Sequence, residues 1–386
     1  MNGSTATSDA KTGGTRPDRV PLTILGAGIA GLAAAAAFAR RGHHVTVIEQ
    51  AAALTDVGAG VQIAPNGARV LDALGVDVPH VPGEAVLLID GPRGTPLIRM
   101  PLRDPFRLVH RADLVDALAR AARAAGATVI LDAPVTDVAD GSLRLASGSA
   151  LGFDALVGAD GARGRTRAFV APDHAPRFTG QVAWRALVPW DGMWVPESQV
   201  HVGPGRHLVV YPLREGRFLN VVAVEEREAW TAASWSQEDD PDALRAAFAG
   251  FSDLARGLLD RVDRVHLWGL VDHGATSRWR RGGVTLIGDA AHPTLPFLAQ
   301  GANLALEDAW TLAARFPDVA GWEKARRPRV ARALREAAAN ARNYHLGGAK
   351  RTVAHMALRA VGAVAPGAMM RRYRWLYDHD PVKRSR

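Results

Sequence analysis

Leu22-Thr23-Ile24-Leu25-Gly26-Ala27-Gly28-Ile29-Ala30-Gly31 sets a strand, a glycine turn and a helix start side by side. The apolar run Leu22 to Leu25 reads as a buried strand, and the alanine-rich stretch from about Ala30 as a helix. Between them Gly26 permits the tight turn and Gly28 lets the backbone approach a pyrophosphate. Gly31 allows close packing of helix on strand, and a phosphate would sit at the helix N-terminus. Ala35 and Gly42 extend the small-residue register. A second strand, Val45 to Ile48, ends at Glu49-Gln50, where an acid can accept hydrogen bonds from ribose hydroxyls. A glycine turn by itself also serves as a plain turn; this ordered context points to an α/β dinucleotide-binding unit.

Two later stretches repeat the pattern of a strand ending in small and acidic residues. Phe153 to Gly161 reads as a buried strand closing in Asp160-Gly161, and Val284 to Ile287 as another closing in Gly288-Asp289-Ala290-Ala291-His292-Pro293. Such ends present backbone amides and one carboxylate at the carboxyl edge of a parallel sheet, where ligands bind. Asp289 can hold a sugar-like hydroxyl there, and a helix starting near Gly301 can offer its N-terminal amides. Two such sites, far apart in sequence, suit one long cofactor.

In this order and spacing the motifs resemble the FAD-dependent aromatic hydroxylases of the para-hydroxybenzoate hydroxylase type, most closely the salicylate hydroxylase-like branch, from about Val20 to Tyr377. The resemblance implies an α/β fold: a Rossmann-like FAD-binding domain, an inserted antiparallel β-sheet substrate domain and a C-terminal helical segment. It places the ADP half of FAD on Gly26, Gly28, Ala30, Gly31, Glu49 and Gln50. Asp160 and Gly161 would contact FAD and the nicotinamide nucleotide, and Gly288 and Asp289 the ribityl chain and flavin. Arg111 matches the arginine that reaches the FAD phosphates or ribose. Pro296, Gln300, Gly301, Ala302 and Asn303 fall beside the flavin ring. Gly164 and Thr166 depart from the serine and branched aliphatic residue usual in the Asp-Gly motif.

Length and composition agree with that picture. The 386 residues, 48% hydrophobic, suffice for two domains sharing a sizeable core. Met1 to Asp18 is polar and lacks an apolar signal region, so a disordered tail over 1–19 and a cytoplasmic protein are expected. No stretch of about twenty uncharged apolar residues predicts a spanning helix. Cysteine is absent, which removes disulfides, thiolate metal sites and dithiol redox chemistry. The net charge of +8 is spread over arginines, with lysine only at Lys11, Lys324, Lys350 and Lys383, and no nucleic-acid motif accompanies it. A positive field favours anionic ligands, although a solvated surface explains it equally well.

The motifs divide the chain into FAD-binding segments 20–75, 101–171 and 272–343, substrate-binding segments 76–100 and 172–271, and a helical segment 344–386. Val86 to Ile89 marks the short excursion. Val182 to Val188, Leu208 to Tyr211 and Leu219 to Val224 are the clearest strands of an antiparallel sheet walling the substrate pocket. Asn303 to Phe316 and Trp322 to Asn343 are helical, with Pro328 marking an N-terminal turn or a kink. Thr352 to Tyr377 reads as an amphipathic helix packed on the body.

Flavin hydroxylases of this kind take a hydride from NADH or NADPH, react with O2 to a C4a-hydroperoxide and hydroxylate an electron-rich ring. A small phenolic or N-heteroaromatic acid is the expected substrate. The acid-base demand on the protein is ionisation of the substrate hydroxyl. His207 and Tyr211, four residues apart on a strand, share a face and are the first candidates. His201 is a weaker one on the preceding strand. His292 can touch flavin or satisfy a local backbone group. Arg185 can pair with a substrate carboxylate, and Trp184, Trp190, Trp194, Trp230, Trp235 and Trp268 can offer ring faces; a structural ion pair and plain core packing are the alternatives. No ligand set for a metal is apparent; His43 and His44 adjoin and point apart. Competing readings are an epoxidase, reductase or other tailoring enzyme of larger natural products, or a flavin-binding protein without turnover. A halogenase is disfavoured, since no lysine lies between Lys11 and Lys324 and Trp190 and Trp194 are widely spaced. Oligomeric state is open.

Overall fold

A computed structural model describes residues 20–54, 60–172, 176–229, 236–272, 274 and 276–383. The expected N-terminal tail, Trp230 and Trp235 lie outside the described residues. Pro21–Leu25 is the central strand of a six-stranded sheet and pairs in parallel with His44–Ile48 and with Ala155–Gly158. Thr128–Ile130 and Val284–Leu286 extend the sheet in parallel, and Arg280–Arg281 closes one edge antiparallel. The Ile29–Ala39 helix is buried along its whole length. Its alanines bring backbones close enough for it to pack against both the Arg111–Ala124 and Gly301–Arg315 helices. Gly26 has φ +103°, and a Cβ on Gly31 would stand 1.9 Å from the Gly26 carbonyl oxygen. The glycines therefore fit the helix to the turn by close approach.

A nine-stranded sheet forms the second layer. From one edge it runs Ser236–Asp239, Val265–Asp272, Arg177–Pro189, Phe218–Glu226, Arg206–Leu213, Glu197–Gly203, His80–Asp90, Thr95–His110 and Gly60–Ile63. The three strands expected from alternation all lie in it. It is not wholly antiparallel, because Glu197–Gly203 pairs in parallel with His80–Asp90. One hairpin, His80–Asp90 with Thr95–His110, spans residues 100 and 101, and Gly60–Ile63 joins the same sheet. Alternation decides what each face does. Val182, Trp184, Leu208, Val210, Leu219 and Val221 pack beneath the Pro241–Ala247 and Asp253–Asp260 helices. The opposite face, with Arg185, Val209 and Val222 in register, looks toward the carboxyl edge of the parallel sheet across a cavity.

Val319–Tyr344 is one helix that covers the expected stretch Trp322 to Asn343 and holds Pro328 in its interior, so the alternative of an N-terminal turn falls. One helix expectation needs correction. The segment expected to be one helix over Thr352 to Tyr377 is three: Gly348–Val364, Ala368–Arg371 and Arg374–Tyr377. Pro366 disfavours helical geometry at Ala365, which sits at φ −149° and ψ 65°. Arg329 donates to the carbonyls of Trp375 and Leu376, and Arg69 to those of Tyr377 and His379, tying this end to the body. Among the described residues no helix is long and apolar enough to cross a membrane.

Candidate active site

The cavity between the two sheets measures about 930 Å³, at the upper end of the ordinary range for ligand sites. At one end lies the glycine turn. Gly26 donates to the Ile48 carbonyl at 2.8 Å, and the Glu49 carboxylate accepts from the amides of Ala27 at 2.6 Å and Ala51 at 2.9 Å. Glu49 thus braces the turn with both oxygens, and each keeps a lone pair for a ligand hydroxyl. Gly28, Ala30 and Gln50 also line this end. A Cβ on Gly28 would meet nothing within 4 Å, so the bare backbone faces open space. Gly31 lies beneath the turn, not on the cavity wall.

Asp160 and Gly161 form the next stretch of wall. Asp160 accepts from the Thr166 amide at 3.0 Å and from the Thr166 hydroxyl. Burial pushes the Asp160 carboxyl up, and the Thr166 bonds oppose that shift. A Cβ on Gly164 would stand 2.1 Å from the carboxyl carbon of Asp160. The two departures from the usual motif therefore belong together: the glycine makes room for the carboxylate and the threonine binds it. Arg163 and Arg165 line the same wall. Sequence reasoning passed over them, although two arginines beside an Asp-Gly turn were a readable sign of anion binding. Arg167 donates to the Ala290 carbonyl at 2.9 Å and so joins the Asp-Gly and Gly-Asp segments.

Gly288 has φ +57°, and a Cβ there would lie 2.9 Å from that of Ala30. Its amide donates to Asp308, and it sets the close approach of the two motifs without lining the cavity. Asp289 does line it: its side chain is open to the void yet enclosed by protein. Burial pushes its carboxyl up, opposed by His292, Arg111, Arg185 and Arg167. Arg111, the first residue of its helix, lines the cavity as well. Pro296, Gln300, Gly301 and Ala302 complete the middle section. Gln300 accepts from Asn66 at 3.0 Å, while its own Nε2 is buried with no hydrogen-bond partner. That orphaned donor at a ligand wall fits a polar group of a bound flavin.

The acids that follow in the same run are structural. Arg326 bonds both Glu307 and Asp308, and Arg329 bonds Glu307. Burial alone would raise Glu307, but Arg326 and Arg329 outweigh it and hold the carboxyl at about 2.

At the far end, Arg185, His207 and Tyr211 line the cavity with Val209, Val222 and Val224. The valines were within reach of strand alternation and were not singled out. Arg185 sits over the Trp268 ring at 5.8 Å. No described residue gives it a hydrogen bond or salt bridge, and burial pushes its guanidinium down. His207 is buried, and its Nδ1 lies 2.7 Å from Nε2 of His345. Burial, with His345 adding to it, holds His207 well below the ordinary histidine range and thus neutral. Burial pushes the Tyr211 phenol up, so Tyr211 stays a neutral donor.

Besides Gly31 and Gly288, four expected site residues do not face the cavity. Trp184 points to the opposite side of its strand from Arg185, where its indole donates to Asp239 at 2.7 Å. His201 is buried in the sheet with neither ring nitrogen bonded, and burial lowers it to about 4. His292 bonds the buried Asp308 and stacks beside Trp279. Asn303 accepts from Ala64 and donates to the Gln62 and Ala299 carbonyls, clipping the Gly60–Ile63 strand to the Gly301–Arg315 helix. Trp184, His292 and Asn303 are held by hydrogen bonds and His201 by burial alone, and residue type reveals neither.

Residues 131–342 match the family described as "FAD binding domain", and residues 24–71 match an NAD(P)-binding Rossmann-like domain. The chain is 34% identical to 3-amino-4-hydroxybenzoate 2-monooxygenase PtmB3 of Streptomyces platensis, covering 85% of this chain and 89% of that one. It is 35% identical to 3-hydroxybenzoate 6-hydroxylase of Polaromonas naphthalenivorans, over 87% and 91%. A salicylate hydroxylase solved as a substrate complex has the same fold, with a TM-score of 0.79, 22% identity and coverage of 95% and 97%.

Proposed function

The chain belongs to the FAD-dependent aromatic monooxygenases, and from that membership we propose that its substrate is a small hydroxylated aromatic carboxylic acid, held by Arg185 and ionised by His207. The observation that carries this reading is Arg185. Arg185 is half-buried in the wall with no direct salt bridge, Asp289 acting on it only at a distance, and a ligand carboxylate would offset its desolvation through a bidentate bond. The relatives named above act on hydroxybenzoates, whose chemistry has both the carboxylate and the ring hydroxyl this end of the cavity would bind.

FAD, reduced by NADH or NADPH, supplies the oxygen-activating chemistry when bound. Gly26, Gly28, Ala30, Glu49 and Gln50 take the adenosine end and its phosphates; Arg111 and Asp160-Gly161 flank the pyrophosphate. Asp289 takes the ribityl hydroxyls, and Pro296 with Gln300 to Ala302 borders the flavin ring. On this assignment the segments 20–75, 101–171 and 272–343 serve the cofactor, 76–100 and 172–271 the substrate, and 344–386 forms a helical support. His207 accepts the phenol proton at Nε2, because its Nδ1 is engaged by His345. Tyr211 donates to the substrate oxygen, and Val209, Val222 and Val224 keep water from the ring.

The test is anaerobic reduction of the bound flavin by NADH and by NADPH, with hydroxybenzoates and with the matched phenols lacking the carboxylate. Acceleration by the acids only is expected, and Arg185→Gln is expected to weaken the acid's effect by about tenfold to a hundredfold. Equal acceleration by neutral phenols would overturn the reading.

A further inference from the structure

His207 does not end the hydrogen-bonded chain that begins at the cavity. Its Nδ1 lies 2.7 Å from Nε2 of His345, and Nδ1 of His345 lies 2.8 Å from Oε1 of Glu226. The three groups come from separate elements: the Arg206–Leu213 strand, the end of the Val319–Tyr344 helix and the last residue of the Phe218–Glu226 strand. The His345 side chain is 2% exposed, whereas that of Glu226 is 54% exposed. A continuous path therefore joins the cavity to solvent.

The carboxylate fixes the direction of every bond along it. Glu226 only accepts, so His345 carries its proton on Nδ1 and offers a bare Nε2. Gln181 Nε2 lies 3.4 Å from the same Nδ1, but as a donor it would need that nitrogen bare, and the charged acceptor at shorter range keeps the proton there. His207 must then donate from Nδ1, which leaves the lone pair on its Nε2 for a ligand.

We propose that His345 and Glu226 are positioning and relay residues that carry the substrate's phenolic proton from His207 to solvent. This rests on the reading of His207 as the base. The phenol O–H bond breaks as N–H forms at His207 Nε2. The His207 Nδ1 proton passes to His345 Nε2, and the His345 Nδ1 proton passes to the Glu226 carboxylate and on to water. One proton leaves, no net charge remains on either ring, and both rings reverse tautomer. Return of a proton to the product phenolate along the same path resets them. Neither histidine has to hold a positive charge in the buried wall, where the rings of Phe297 and Tyr344 pack on His207 beside that of His345. The charged groups near the outer half are Arg206, which opposes a proton on His345, and Glu225, which pairs with Arg206 and Arg227.

The FAD-loaded enzyme is mixed with 3-hydroxy-4-nitrobenzoate in weak buffer, and stopped flow follows nitrophenolate absorbance together with a pH-indicator dye. Glu226→Gln and His345→Gln are expected to slow both signals by about tenfold or more while probe affinity changes by less than about threefold. Glu226→Asp should restore the rate. Because Glu226 is at the surface, its variants keep the test open should His345→Gln fold poorly. Wild-type rates in Glu226→Gln and His345→Gln, with ionisation abolished in His207→Gln, overturn the relay and leave the base reading standing. Wild-type ionisation in His207→Gln overturns both.

Discussion

Arg185, His207 and His201 are three basic side chains in one sheet, and their different surroundings give them different consequences. Arg185 faces the cavity without a direct salt bridge, so its replacement should act on affinity for an acidic ligand more than on folding. His207 is held neutral, and the acid limb of kcat/KM from its protonation should therefore fall well below the ordinary histidine value near 6.5. A limb near 6.5 that vanishes in His207→Gln would contradict this. His201 has no hydrogen-bond partner and a folded value of about 4. The unfolded chain binds its proton from about 6.5 downward and the folded chain does not, so stability falls as pH drops from about 6.5 to 4. The loss amounts to roughly 3 kcal/mol. Denaturant titrations at pH 5 and pH 8 should show a smaller pH difference for His201→Leu than for wild type. Asp289→Ala should bind FAD much more weakly, read as flavin released on gel filtration and as a lost rise in Tm on adding FAD.

At the scale of elements, packing of glycine and alanine decides whether the cofactor wall can form. The Ile29–Ala39 helix stands close to its turn only because Gly31 has no side chain. Gly31→Ala should push the helix off the turn, cost about 1–3 kcal/mol and lower FAD affinity, measured by unfolding of the flavin-free protein and by flavin fluorescence titration. An unchanged Tm and affinity would show that the turn tolerates the methyl. The helix and strand types here were legible from period and composition, since a run such as Val284 to Ile287 has few alternatives between turn residues. The C-terminal break was written at Pro366 but hidden by the amphipathic pattern on both sides of it.

Across the whole molecule, buried charge ties the distant C-terminus to the middle of the chain. Arg329 binds Glu307 and also the carbonyls of Trp375 and Leu376. Arg329→Met leaves Glu307 short of one of its cations and should destabilise the fold by about 3–5 kcal/mol, with faster proteolysis near Tyr377. A wild-type unfolding curve would refute that. The sequence by itself determined the Rossmann-like unit, because Gly26, Gly28, Glu49, Asp160 and Asp289 stand at backbone turns and strand ends that neighbouring residues specify. It also put His207 and Tyr211 on one strand face, which a period of two dictates. Only the tertiary structure decided that Trp184, His201, His292 and Asn303 face away from the cavity, and that His345 and Glu226 stand behind His207. Those outcomes depend on which surface each strand buries and on tertiary contacts such as His207 with His345, 138 positions apart, and no local pattern in the chain encodes either.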